Sequence, residues 1–427
     1  MKAAFQTLLL AAIISFASLA ARAQTYNFTT IAGSPGSVLS IDGTNGAARF
    51  DHPYGVAVDA GGSVYVAEND TVRKITPVGT NWVATTIAGV PGSHGSTDGT
   101  NTTTRFWGPY GVAVDNGGNV YVADSGNCII RQLTPVGTNW VATTIAGLAV
   151  TPGSADGTNS AARFQTPTAI AVDANGNLFV ADTGNPTNIR KITHAGTNWI
   201  ITTISPSGRL SCASGVAVDG SGNVFVADTS NYAVRKLTQA GPSWILSTIA
   251  GALSQPGTAD GTNSDARFWQ FYNLAADGSG RLYIADTFND TIRKITPAGT
   301  NWVVTTIGGL PHYASTADGK GSVARFSQPY GIAVGNRGEI YLSDDNSTLR
   351  LGVRCPPVIQ TMTEIGGTVS LTWTATALEA FQVQYTTNVA QTNWSNLGTN
   401  ITATDSTATA SDPVVPGQQR FYRVQGL

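Results

Sequence analysis

The chain offers four histidines, His52, His94, His194 and His312, and three cysteines, Cys128, Cys212 and Cys355, as its candidates for metal binding or nucleophilic chemistry. A zinc site with an open catalytic position needs three protein ligands. The cysteines share no spacing motif, and their plainer role is that of small buried side chains. In an exported chain an odd number leaves at least one unpaired within a monomer. No Gly-x-Ser-x-Gly or phosphate loop is present. Charge recurs instead. One arginine set falls at Arg49, Arg105, Arg163, Arg209, Arg267 and Arg325. A carboxylate set falls at Glu68, Asp124, Asp182, Asp228, Asp286 and Asp344. Opposite charges at matched spacing predict Arg–carboxylate pairs, with bidentate geometry open to them. A catalytic group is needed once and a scaffold group once per unit, so both sets read as a structural ring. A ring of functional carboxylates is the alternative. A second arginine set, Arg73, Arg131, Arg190, Arg235, Arg293 and Arg350, reads the same way.

These residues ride on a repeated unit. A run like Gly-Val-Ala-Val-Asp ends at Asp59, Asp115, Asp173, Asp219, Asp277 and Gly335, in steps of 56, 58, 46, 58 and 58 residues. One such unit cannot bury its own apolar face, so repetition implies a repeat architecture. In the second unit the strand candidates are Gly111 to Val114, Asn119 to Ala123, Ile129 to Thr134 and Trp140 to Ala146. Turns containing Asp-Asn-Gly-Gly and Pro-Val-Gly-Thr-Asn favour hairpin reversals between them. The first two strands are apolar almost throughout, as in a sheet covered on both faces. The predicted fold is all-β: a six-bladed β-propeller of four-stranded sheets. Trp82, Trp140, Trp199, Trp244 and Trp302 recur on the outer strand and are expected to pack between blades. The Asp-Gly-Thr-Asn segments at Asp42, Asp98, Asp156 and Asp260, with Asp318-Gly319 as a variant, read as turns. One Asp per loop supplies too few oxygens for calcium.

Pro-Tyr-Gly-Val-Ala-Val-Asp, Gly-Asn-Val-Tyr-Val-Ala-Asp and Asn-x-x-Ile-Arg-Lys together resemble the NHL repeat, over roughly residues 25 to 354. The resemblance implies a β-propeller, in agreement with the strand reading. The sixth unit lacks the tryptophan strand, and Tyr26 to Ala32 aligns with Trp82 to Ala88. The N-terminal strand is therefore expected to complete the last blade and remove exposed edges. The domains expected are a signal peptide over 1–23, the propeller over 24–354 and a small β-sandwich over 355–427. The last is similar to fibronectin type III or immunoglobulin-like modules, from the alternation in Val369 to Trp373, Phe381 to Tyr385 and Phe421 to Val424.

Function, if local, should sit where the units differ. Tyr54, Tyr110, Tyr272 and Tyr330, with Trp107, Trp269 and His52, precede the first strands and are expected to rim the central channel. Flat rings with polar tips suit sugars, peptides or other amphipathic ligands; packing on neighbouring loops is the plainer role. The fourth unit lacks the Asp-Gly-Thr-Asn insertion, and its step of 46 residues against 58 predicts a notch between blades three and four. The expected function is an exported scaffold binding a protein, peptide or glycan through the loop face, more a binding module than an enzyme. Two alternatives stand beside it. One is a metal-dependent lyase or lactonase-like enzyme acting through Asp51, His52 and the acid ring; the other is a purely structural envelope protein. The amidating lyases that resemble this fold hold zinc with several histidines, and only His52 is placed near the channel mouth. No cofactor or metal is expected.

Net charge of −2 with 12% charged residues leaves no basic stripe for nucleic acid. Lys2, the apolar run Leu8 to Ile14 and Ala21-Arg22-Ala23 read as a secretory signal, giving a secreted, periplasmic or cell-surface location. No later stretch is long enough to span a bilayer, and a monomer is expected.

Overall fold

The computed structural model describes residues 25–206, 209–365, 367–375, 379–390, 393–404, 406–413 and 420–426. The expected signal segment lies outside these residues.

In five of the six repeats an aspartate after the first strand shapes a turn. Asp59 Oδ1 accepts from the backbone N–H of Gly61 at 3.0 Å and of Ser63 at 2.9 Å. Asp115, Asp173, Asp219 and Asp277 do the same. An Asp side chain can replace a backbone acceptor in this way, which is why it is favoured in turns. The turn reverses the chain into a second strand whose side chains are all buried, as in Val64–Glu68 and Val120–Asp124. A third and a fourth strand follow, Thr71–Val78 and Asn81–Gly89 in the first sheet, exposed towards their shared hairpin and at Thr85. Such double-sided burial explains the near-continuous apolar runs.

Residues 24–355 form one compact unit containing six antiparallel sheets. Sheet one runs Val56–Val58, Val64–Glu68, Thr71–Val78, Asn81–Gly89. Sheet two runs Pro109–Val114, Val120–Asp124, Ile129–Val136, Asn139–Ala146. Sheets three to five repeat the order from Pro167, Ala213 and Asn273. Sheet six takes Pro329–Val334, Ile340–Asp344 and Thr348–Arg354, and Tyr26–Gly33 pairs antiparallel with its third strand. The first strand of each sheet touches the first strands of two others, in the cyclic order one to six and back to one. This is the arrangement of a β-propeller.

Close approach of the first strands requires small residues. A Cβ on Gly111 would lie 2.8 Å from Ala169 Cα, inside contact distance. The Tyr-Gly pairs at 54–55, 110–111 and 330–331 thus put a large ring next to a point where two strands converge. Between sheets, each outer tryptophan meets an aromatic ring of a neighbouring sheet edge-on: Trp140 with Tyr65, Trp199 with Tyr121, Trp244 with Phe179, Trp302 with Phe225, Trp82 with Tyr341. Centroid separations are 5.8–6.3 Å. Tyr26 occupies the matching place in sheet six, beside Tyr283. The tryptophans thus pack between sheets.

Five of the sheets are wider than expected. Two-residue strands at Gly43–Thr44, Gly99–Thr100, Gly157–Thr158, Gly261–Thr262 and Gly319–Lys320 add a fifth member beside the outer strand. Most of the Asp-Gly-Thr-Asn segments are therefore edge strands, where the sequence suggested turns alone. The fourth sheet keeps four strands.

Residues 356–427 belong to a second compact unit. Ile359–Ile365, Thr368–Thr374 and Thr407–Pro413 make one sheet. Ala380–Thr386 pairs with Ser395–Asn396, Ile401–Thr402 and Phe421–Gly426 in another. Trp373, Leu371, Phe381, Val383, Ala403 and Ala408 form its buried core.

Candidate functional site

The four tyrosines expected at the channel mouth come together. Tyr54 and Tyr110 stack at 4.2 Å between centroids and 13° between planes; Tyr272 and Tyr330 stack at 4.9 Å and 15°. Tyr330 also meets Tyr54 at 5.4 Å, joining the two pairs. Tyr54 and Tyr272 precede the first strands of sheets one and five, and Tyr110 and Tyr330 lie at the start of those of sheets two and six. Below them the first strands line a cavity of about 160 Å³ with Val, Ala, Ile and Leu side chains, Asn273 being the polar exception. Burial raises Tyr54, Tyr272 and Tyr330, with neighbouring tyrosines adding to the shift. These phenols stay protonated in neutral solution and present hydroxyl groups, not charge.

The two tryptophans stand outside this stack, and each meets a histidine. Trp107 is 46% exposed and lies 6.3 Å from the His94 ring; Trp269 is 37% exposed and lies 5.7 Å from His312. Phe288 links Trp269 to Tyr272. His94 Nδ1 bonds Asp70, whose other oxygen accepts from Gly92 N–H at 3.0 Å. His52 Nδ1 bonds Asp51 at 2.6 Å, and its ring lies 6.3 Å from Tyr54. The Asp70–His94 contact and the placing of His312 beside Trp269 are features that sequence reasoning missed. Both histidines sit in inter-repeat loops, where the residue types differ from repeat to repeat and give no partner. Backbone conformation marks the same loops: His52, Gly108, Cys212, Gln270 and Gln328 all have φ between 41° and 54°. For a non-glycine residue this region is sparsely populated.

The charged ring is built differently from the sequence expectation. Glu68, Asp124, Asp182, Asp228, Asp286 and Asp344 are buried, but they pair with the second arginine set. Arg73 Nη1 lies 2.8 Å from Glu68 and Arg131 Nη1 3.2 Å from Asp124. Strand register is the reason. Val66 faces Arg73 across the ladder, so Glu68 is the diagonal neighbour of Arg73 on the same face. The first set closes local turns instead. Arg105 donates to the carbonyls of Thr102 and Thr104 at 2.6 and 2.8 Å; Arg49, Arg163, Arg267 and Arg325 bind the matching carbonyls. The Arg209 carbonyl accepts from Arg235 at 3.4 Å.

A second carboxylate, unforeseen in the turn reading, completes each clamp but one. Arg131 Nη2 meets Asp98 at 2.8 Å, and Asp42, Asp156, Asp260 and Asp318 meet their arginines at 2.8–2.9 Å. The guanidinium also lies 5.1–5.2 Å over Phe50, Phe106, Phe164, Phe268 and Phe326 in those five sheets. Among the described residues, no group of three or more His, Cys, Asp and Glu is placed to hold a metal ion.

Burial pushes the buried acids up, to about 6 for Asp124 and about 7 for Asp344, against the lowering effect of their N–H donors and arginines. Asp344 is the more weakly paired, with Arg350 at 3.7 Å. A carboxyl whose folded value is raised holds its proton longer in the folded state. Its stabilising contribution is full below about pH 4, the unfolded value, and is lost as pH rises through the folded value. Between pH 5 and 7.5 the wild type should therefore lose more melting temperature than an Asp344→Asn variant. Parallel curves in a pH series of thermal melts would remove Asp344 as the cause.

Comparison with known proteins agrees with this architecture. Residues 106–133 and 210–237 match the NHL repeat family. A Bacteroides thetaiotaomicron protein of unknown function superposes with a TM-score of 0.60 at 21% identity, over 77% of this chain and 76% of its own. An auxiliary nutrient binding protein from Bacteroides ovatus also superposes with a TM-score of 0.60, at 16% identity over 77% of each chain. At these identities the likeness speaks for the fold. Protein SUPPRESSOR OF QUENCHING 1, chloroplastic, from Arabidopsis thaliana, is 38% identical over 91 residues. That is 21% of this chain and 8% of the plant protein's length. Among the described residues, no helix is long and apolar enough to cross a membrane.

Proposed function

We propose that this NHL-repeat propeller is an exported binding module that holds a protein, peptide or glycan ligand on its loop face. The observation carrying the reading is the aromatic surface there: stacked tyrosine pairs beside exposed Trp107 and Trp269. Large exposed aromatic rings on a rigid scaffold are the usual anchors of recognition. Sugars and planar side chains can lie on the tryptophan faces, and the phenol and imidazole groups beside them supply hydrogen bonds. The nutrient-binding role of the Bacteroides ovatus relative supports a ligand-holding role by analogy of fold. Lys2, the apolar run from Leu8 and the Ala21-Arg22-Ala23 site support export. The small-sheet unit after Pro356 suits a spacer of fibronectin type III-like kind.

The test is binding to glycan and peptide arrays. Trp107→Ala/Trp269→Ala should lose at least about tenfold in affinity for any hit, the effect of removing one aromatic anchor. The tryptophans are the better choice because the tyrosines also pack on one another. Undiminished binding by the double variant, with its melting curve unchanged, would remove the loop-face aromatics as the site.

A further inference from the structure

Among the described residues, sheet four presents the receiving side of a binding arrangement that the chain fills with its own residues in the five other sheets. In sheet two the occupant is Asp98 to Asn101. Asp98 bonds Arg131 Nη2 at 2.8 Å, the Thr144 N–H at 3.0 Å and the Thr144 hydroxyl at 2.9 Å. Gly99 and Thr100 then pair with Ala142 and Val141 as an edge strand. Asn101 Oδ1 accepts the Trp140 N–H at 2.7 Å. The same set of contacts recurs at Asp156 and Asp260.

The receiving side is intact in sheet four. Arg235 faces Thr248 across the ladder, as Arg131 faces Thr144. Leu246, Ile245 and Trp244 stand where Ala142, Val141 and Trp140 stand. The occupant is missing, because the step into this unit is shorter by the length of the insertion. Three consequences are visible. Ile245 is left 60% exposed. Arg235, only 6% exposed in its side chain, meets one carboxylate, Asp228, at 2.7 Å. Among the described residues, no carboxylate reaches its other terminal nitrogen, and no side chain accepts the N–H groups of Thr248 or Trp244.

We infer that the outer edge of sheet four receives an extended, aspartate-bearing peptide segment of a partner protein: its carboxylate lies on Arg235 and Thr248, and its backbone pairs along Ile245 and Leu246. Five internal copies of an aspartate at this position define the chemistry. The cation is one carboxylate short of its counterparts, so an acidic occupant is complementary where a neutral one is not. Strand addition to an open edge supplies the remaining hydrogen bonds.

The full chain is titrated with fluorescein-labelled Ala-Asp-Gly-Thr-Asn-Ser, the sequence of residues 259–264, followed by fluorescence anisotropy. Saturable binding is expected, weakened at least about tenfold when the peptide's Asp is Asn. Thr248→Val in the protein should weaken it at least about threefold with an unchanged melting curve. Trp107→Ala/Trp269→Ala should leave it intact, which separates this site from the loop-face reading. Equal binding of the Asn peptide, or no binding at millimolar peptide, overturns the inference. So does displacement by acetate as readily as by peptide, since that marks a bare anion site. Self-association of the chain through this edge, unaffected by the peptide, also overturns it.

Discussion

Removing residues 24–33 should lower the melting temperature of the propeller unit by at least about 15 °C. The strand Tyr26–Gly33 pairs with Thr348–Arg354 and buries Tyr26, Phe28, Ile31 and Ala32. Truncating a buried aromatic side chain costs about 3–5 kcal/mol and an Ile about 2–5 kcal/mol. The combined loss rivals the roughly 5–15 kcal/mol by which a domain is stable at all. At about 2 °C per kcal/mol for a unit of this size, the expected fall follows. The deletion also bares the edge of the third strand, a template for aggregation. The joint between the two chain segments has a particular shape. Phe28 faces Gly352 across the ladder, whereas the matching pairs in sheets one and two are Ile75–Ala84 and Leu133–Ala142. The large residue has moved from the third strand to the fourth. A Cβ on Gly352 or Gly308 would strike the Phe28 ring. Gly352→Ile in the intact chain should therefore be destabilising as well, and the further change Phe28→Ala should recover part of the loss. A synthetic peptide of residues 24–34 should partly restore the melting temperature of the deleted protein. An unchanged melt after deletion would show that this strand is dispensable.

The all-β fold was legible because its signals are local and repeated. Asp59 and its counterparts mark turns by their own side chains, and Val64–Glu68 reads as a doubly buried strand from composition alone. Less legible was whatever depends on register. Arg49 and Glu68 recur in step, but so do Arg73 and Glu68, and spacing along a chain does not say which two share a face. The Asp42 series was read as turns because a two-residue strand carries no period. At the site, the sequence placed Tyr54, Tyr110, Tyr272 and Tyr330 together on one end of the first strands. It could not place His94 against Asp70, or His312 against Trp269. Those partners come from inter-repeat loops whose paths are set by contacts, not by propensity.

Replacing Arg131 by Met should cost about 3–5 kcal/mol, the usual result of removing one partner from a buried ion pair. Arg131 is fully buried and joins Asp124, Asp98, the carbonyls of Arg105 and Thr97, and the Phe106 ring. Met fills a similar volume but leaves Asp124 buried with only the Trp107 N–H and the Asn127 amide as donors. Burial without the cation drives that carboxyl further up, so it takes a proton more readily. The deficit should therefore shrink as pH falls from 7.5 to 5, opposite to the loss expected from a salt bridge broken by acid. Asp124→Asn on the Met background should recover part of the stability by removing the stranded charge, as a double-mutant cycle would measure. The fourth sheet supplies an internal control. Arg235 has one carboxylate and Leu210 in place of the phenylalanine. Arg235→Met breaks fewer bonds and should cost less than Arg131→Met in the same denaturant series. Equal costs would mean that the second carboxylate and the ring add nothing, and that the Asp-Gly-Thr-Asn segment is held by its backbone pairing alone.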